Sequence, residues 1–281
     1  MTPKSIYKCI SVCLAAMSLS LFVSCGSDNS EPVAPPNPNN GGSVTPNPNP
    51  GPVIPDGNGK TNVVGMDFTG QKCPSCPRVI NLVNKYSEEF KENFIAVAIH
   101  GLSMYSTAPF LTEEGMEYLE TLKIFGIPTL AFNNVVVDDL SSKEIHDSLA
   151  KAINEKPIIG LGLNVKRTDR KVSIELNSKV IKGQEAAVKD KSFKVLCWVT
   201  ENNVIGLQTF QGKPQDPNFV HNHVFRGSLN TTWGTDYKLG EIFKLEKELP
   251  AKVLAPQNSE LVVIVYDAAS KKFISAVKAK L

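Results

Sequence analysis

The sequence predicts an α/β domain over residues 61–156 followed by an all-β domain over 157–281, and three observations carry that reading. In the first stretch, short apolar runs alternate with segments whose apolar residues recur at helical spacing. In the second, seven strand-like runs follow one another with no amphipathic helix between them. Ahead of both, residues 25–60 are rich in Pro, Asn and Gly and poor in apolar side chains, as in Pro46-Asn47-Pro48-Asn49-Pro50. That composition cannot bury enough surface to offset the entropy of ordering, so it reads as a semi-rigid spacer.

The first 24 residues read as a signal peptide. Lys4 and Lys8 precede an apolar run from Cys9 to Val23, which is too short to be assigned as a membrane span. Leu21-Phe22-Val23-Ser24-Cys25 resembles a bacterial lipobox, with Phe22 bulkier than is usual three residues before the cysteine. The resemblance implies cleavage before Cys25 and lipidation there, so that acyl chains such as palmitate anchor the mature protein at roughly 0.8 kcal/mol per buried methylene. The chain has 30 Lys and Arg against 28 Asp and Glu, and losing Lys4 and Lys8 with the leader leaves 28 against 28. This balance gives no electrostatic footprint for nucleic acid.

Within 61–156 the expected order is strand, helix, strand, helix, hairpin, helix. Asn62–Phe68 reads as a buried strand. A helical pattern then runs from the dithiol Cys73-Pro-Ser-Cys76 through Val79, Ile80, Leu82, Val83, Tyr86 and Phe90. Pro74 and Pro77 suit a first helical turn, where missing amide donors cost least. A second strand, Phe94–Ile99, a helix from about Glu113 to Leu122, paired strands through Phe125–Phe132 and Val135–Val137, and a closing helix from Ser142 complete the set. Ser141 or Ser142 is placed to cap that last helix.

A cysteine pair at the start of a helix has two physical readings. Unsatisfied amides and the helix dipole favour a thiolate at Cys73, making it the attacking sulfur and Cys76 the resolving one. The same pair in an oxidising compartment also serves as a permanent disulfide that ties down the helix start. Metal has little support, because a structural zinc site takes four ligands and no second pair exists. No cofactor is implied. Three matches make this stretch resemble a thioredoxin-like fold: the dithiol between strand and helix, Ile127-Pro128 where that fold holds a cis-proline facing the dithiol, and Asp67 six residues before Cys73. The resemblance implies that Asp67 moves a proton for Cys76 and that Pro128 shapes a substrate groove. Lys72 stands where thioredoxins commonly have tryptophan.

Beyond Glu155-Lys-Pro157 the strand-like runs are 160–167, 171–176, 193–200, 220–229, 242–249, 260–267 and 273–279, which argues for a β-sandwich of immunoglobulin-like outline. Cys197 alternates with apolar neighbours and reads as a small buried hydrophobe. His221-Asn-His223-Val-Phe-Arg226 is the unusual cluster. His221 and His223 share a face in a strand, yet no third metal ligand has useful spacing. Its side chains, with Trp233 packed on the junction, read as a bridge from a loop to the sheet or to the first domain, or as a peptide or glycan surface. His100 and His146 lack spacing partners and read as surface or satisfied core histidines.

These residues carry a family likeness. Asp67-Phe-Thr-Gly70, Cys73-Pro-Ser-Cys76-Pro77, His221-Asn-His223-Val-Phe-Arg226, Leu229-Asn230 and Trp233-Gly234 are similar to the Bacteroidetes outer-membrane lipoproteins related to a 28-kilodalton outer membrane protein. Thr231 stands where that motif commonly has glycine. The likeness implies an outer-membrane lipoprotein with a thioredoxin-like domain joined to a β-rich one, and brings no settled substrate. Three functions follow as expectations: a lipid-anchored surface protein whose domains bind a partner, an extracytoplasmic thiol-disulfide oxidoreductase using Cys73 and Cys76, and an accessory protein for glycan or peptide acquisition.

Overall fold

The computed structural model describes residues 52–54 and 59–281. The expected signal peptide, the lipidation site Cys25 and most of the spacer lie outside the described residues. In chain order the first segment contains β1 (Val63–Phe68), α1 (Cys76–Phe90), β2 (Phe94–Ile99), α2 (Glu113–Thr121), β3 (Thr129–Phe132), β4 (Val135–Val136) and α3 (Ser142–Asn154). The second contains β5 (Ile159–Thr168), β6 (Lys171–Val180), a short α4 (Glu185–Val188), β7 (Phe193–Glu201), β8 (Val204–Phe210), β9 (Lys213–His221), β10 (Val224–Ser228), β11 (Thr235–Tyr237), β12 (Phe243–Glu248), β13 (Ser259–Asp267) and β14 (Phe273–Lys280). The first segment is thioredoxin-like, and the second is all-β apart from α4.

Local chemistry fixes the helix starts. Thr112 Oγ1 accepts from the Gly115 amide at 3.1 Å and Ser141 Oγ from the Glu144 amide at 3.3 Å, each satisfying an amide that the helix leaves free. At α1 no side chain caps, and Pro77 in the first turn has no amide to satisfy.

One sheet runs through both segments, in the order β14-β13-β7-β10-β2-β1-β3-β4, with β11 on β7. Its continuity across residue 157 depends on β10, which pairs antiparallel with β7 and meets β2 in parallel at Val224 and Ala98. The Ala98 amide donates to the His223 carbonyl there at 2.8 Å. The change at 157 is therefore one of architecture, and the described residues fall within one compact unit.

Alternation along these strands sorts the core. Val64, Met66 and Phe68 share one face with Ile95, Val97, Ile99, Leu196, Trp198, Val262 and Ile264, and α2 covers it through Tyr118 and Leu119. On the opposite face, α1 and α3 cover the β1–β3 end. At the other end the three-stranded sheet β12-β6-β5 packs Val172, Ile174 and Leu176 against Val195, Cys197, Leu261, Val263 and Val265, and so closes the sandwich. The ribbon β8-β9 joins neither sheet.

The chain enters the fold at the amino end of β1. There the Thr61 amide donates to Ile153 O at 2.9 Å, Thr61 Oγ1 to Glu155 O at 2.8 Å and Asn62 Nδ2 to Ala276 O at 3.0 Å. Among the described residues no helix is long and apolar enough to cross a membrane.

Candidate functional site

The carboxyl end of β1 delivers the chain to the dithiol. Cys73 and Cys76 form a disulfide with Cα atoms 5.4 Å apart, and both are buried, at 2% and 0% exposure. Cys76 is the first residue of α1, so the bond ties the strand-to-helix turn to the helix start. The Ile127-Pro128 peptide is cis, and the Ile127 carbonyl lies 3.9 Å from Cys73 Sγ, which places the Pro128 turn beside the dithiol. Phe125, two residues earlier, is 92% exposed, and Met104 stands out of the neighbouring loop.

Asp67 is buried on β1, and desolvation raises its carboxyl to about 7. It borders a cavity of about 20 Å³ with Thr69, Val83, Asn84, Ala98 and His100, lined also by His221 and His223. The same burial lowers the histidines, His100 to about 3 and both His221 and His223 to about 4. All three are neutral at pH 7. His221 packs on Phe110 with ring centroids 4.6 Å apart, and His100 packs on the same ring at 5.0 Å.

Arg226 is fully buried. Its Nε donates to Glu201 Oε2 at 2.6 Å and its Nη1 to the Pro109 carbonyl at 2.9 Å, joining β10 to β7 and to the loop before α2. The Leu254 and Ala255 amides complete the shell of Glu201. Trp233 is half-buried against Tyr118 at 5.0 Å, with Lys271 Nζ 4.2 Å from its ring centroid. Thr231 closes that loop by donating to the Gly234 carbonyl at 2.6 Å, while Gly234 takes φ +67° against Val195.

The structure thus brings Cys73, Cys76, Asp67 and Pro128 to one end of β1. His221 and His223 border the same region from the all-β segment, and Arg226 and Trp233 sit at junctions with α2 and its preceding loop. Among the described residues no group of three or more His, Cys, Asp or Glu is arranged to hold a metal ion. Cys197 is a buried free thiol, pushed up to about 12 by desolvation, and therefore inert.

Sequence reasoning missed Gln208 and Glu201. Gln208 lies on β8 and is fully buried, and its Nε2 donates to the Gly70 and Cys73 carbonyls at 3.4 and 3.2 Å. The Thr209 amide donates to Gln71 O at 2.8 Å and the Gln211 amide to Pro74 O at 3.0 Å. The ribbon therefore lies along the loop that carries the disulfide. The one local signal is a glutamine between the strand-like runs 193–200 and 220–229.

Fold and site together define a thioredoxin-like domain with an oxidised Cys-X-X-Cys pair, continued into a β-sandwich. The chain belongs to the Omp28 family of outer membrane proteins, whose family model matches residues 115–281. HBP35 of Porphyromonas gingivalis is similar in structure, at TM-score 0.62 and 19% identity over 79% of this chain and 76% of that one. A domain of the outer membrane lipoprotein Omp28 from the same organism gives TM-score 0.34 and 18% identity over 44% of this chain and 88% of that one. A protein from Agrobacterium tumefaciens gives TM-score 0.49 and 15% identity over 78% and 93%. No curated protein matches the sequence.

Proposed function

We propose that this is a lipid-anchored outer-membrane protein whose domains bind a protein, peptide or glycan partner, with the Cys73–Cys76 disulfide serving structure in the resting molecule. The observation that carries this reading is the bonded, buried pair in a loop whose Gly70, Gln71, Cys73 and Pro74 carbonyls accept hydrogen bonds from Gln208, Thr209 and Gln211. A sulfur held for attack is expected to face solvent, and neither does. The exposed Phe125 and Met104 near the pair supply apolar contact area for a partner. The anchor rests on Leu21–Cys25 and on membership of an outer-membrane family.

The test is the equilibrium potential of the ectodomain against glutathione and thioredoxin buffers, with insulin reduction followed in parallel. A structural bond is expected below about −300 mV and without turnover. A potential in the roughly −120 to −270 mV range of working oxidoreductases, with turnover lost in Cys73→Ser, would overturn the reading in favour of an oxidoreductase. Buried Asp67, with its raised carboxyl on the strand leading to the pair, is the observation that favours this second reading.

A further inference from the structure

The ribbon β8-β9 is attached differently from every other strand pair in the all-β segment. Among the described residues its strands bond to each other and to no sheet, and they rest on the loop from Gly70 to Pro74 and, through Val204, Gly206 and His221, on Phe110. Gln208 is driven into the interior, while Ile205 and Val220, paired across the ribbon, face outward and are exposed. Gly206 lies so close to Phe110 that a Cβ there would come within 2.7 Å of the ring.

The ribbon leaves and rejoins the fold at two adjacent points. Asn203 and His223 both take left-handed backbone, at φ 59° and 57°. The Asn203 amide donates to Asn222 Oδ1 at 3.0 Å and the His223 amide to Asn202 Oδ1 at 2.8 Å, so each crossing is braced by the other. Two close-set ends with no sheet partner between them are the geometry of a flap.

We propose that the β8-β9 ribbon is a hinged cover that controls the access of dithiols to the Cys73–Cys76 bond. With the ribbon seated, the bond is buried and inert. With it lifted, the thiolate of an incoming dithiol attacks Cys73 Sγ and breaks the bond to Cys76, whose thiolate takes up a proton. The second thiol of the reductant then attacks the mixed disulfide and frees Cys73. The reductant leaves as a disulfide, and two electrons and two protons stay on the pair. Opening needs the loss of the Gln208, Thr209 and Gln211 bonds and of the contacts that Gly206 and His221 make with Phe110, while both main sheets stay intact.

This concerns the rate of exchange, whereas the binding reading is tested by an equilibrium potential, so either can fail alone. The measurement is the rate at which dithiothreitol reduces the folded ectodomain, read by trapping the thiols with a maleimide and weighing the protein. Gln208→Ala and Gly206→Leu, with folds checked by circular dichroism, are expected to be reduced roughly tenfold faster than the parent, because local opening then costs less. In the parent, urea below the unfolding transition is expected to raise the reduction rate in step with hydrogen exchange at the Thr209 and Gln211 amides. Folded variants reduced at the parent rate would overturn the proposal. So would a parent rate that ignores urea while those two amides exchange faster, and this second measurement decides the matter if neither variant folds.

Discussion

At the scale of the residue, Asp67 carries an electrostatic cost set by its burial. Its carboxyl stands near 7 when folded against 3.8 when solvated. Between these values the native state holds a proton that the unfolded chain has released, so stability falls as the pH rises through this window and the full cost is present above 7. Asp67→Asn is therefore expected to stabilise the oxidised protein by roughly 1–3 kcal/mol at pH 8 and by nothing at pH 4. Urea unfolding at the two pH values checks it, and an equal gain at both would show that the carboxyl does not titrate as its burial requires. Asp67, Cys73, Cys76 and Pro128 were legible in the sequence because the acid and the pair sit within one strand-to-helix turn, and an Ile-Pro step before a short strand is a local sign. Gln208 was not, since its meaning lies in two carbonyls more than a hundred residues earlier in the chain.

At the scale of the element, helices and buried strands were legible wherever periodicity was strict. The bounds Phe94–Ile99 are the same in sequence and structure, and Ser141 caps α3 as its spacing suggests. The ribbon was not legible. Val204–Phe210 has no clean alternation, β9 contains Pro214 and Pro217, and neither strand feeds a main core, so the burial that writes a pattern into sequence is missing. The strand β10 is the clearest case of an element set by distant partners, for Arg226 bonds to Glu201 across the sheet and to Pro109 in the other segment. Arg226→Ala would leave Glu201 buried without its charge partner, at a cost of about 3–5 kcal/mol. The expected result is a lower urea midpoint. A loss well under 1 kcal/mol would mean that Glu201 is sustained by the Leu254 and Ala255 amides alone.

At the scale of the whole molecule, one sheet shared by two architectures gathers three histidines with lowered pKa around the junction. Their folded values of about 3 and 4 lie below the 6.5 of the solvated side chain. As pH falls from 6.5 toward 4 the unfolded chain binds up to three protons that the native state refuses, so stability declines, opposed by the protons that Asp67 and the Glu89-bonded His146 take up. The expected slope at its steepest is about 2–3 kcal/mol per pH unit. Chemical unfolding between pH 7 and 5 measures it, His100→Phe should flatten it, and a stability that rises on acidification would refute it. The sheet's continuity was illegible because strand order is a property of pairs, and a single pairing between Val224 and Ala98 joins the two halves. The anchoring bonds of Thr61 and Asn62 have a mechanical consequence. A pull on the chain from its amino-terminal side acts along the axis of β1, between a parallel neighbour and an antiparallel one, and loads both ladders in shear. Such tension is resisted by all of those hydrogen bonds together, where a peeled edge strand would surrender them one at a time.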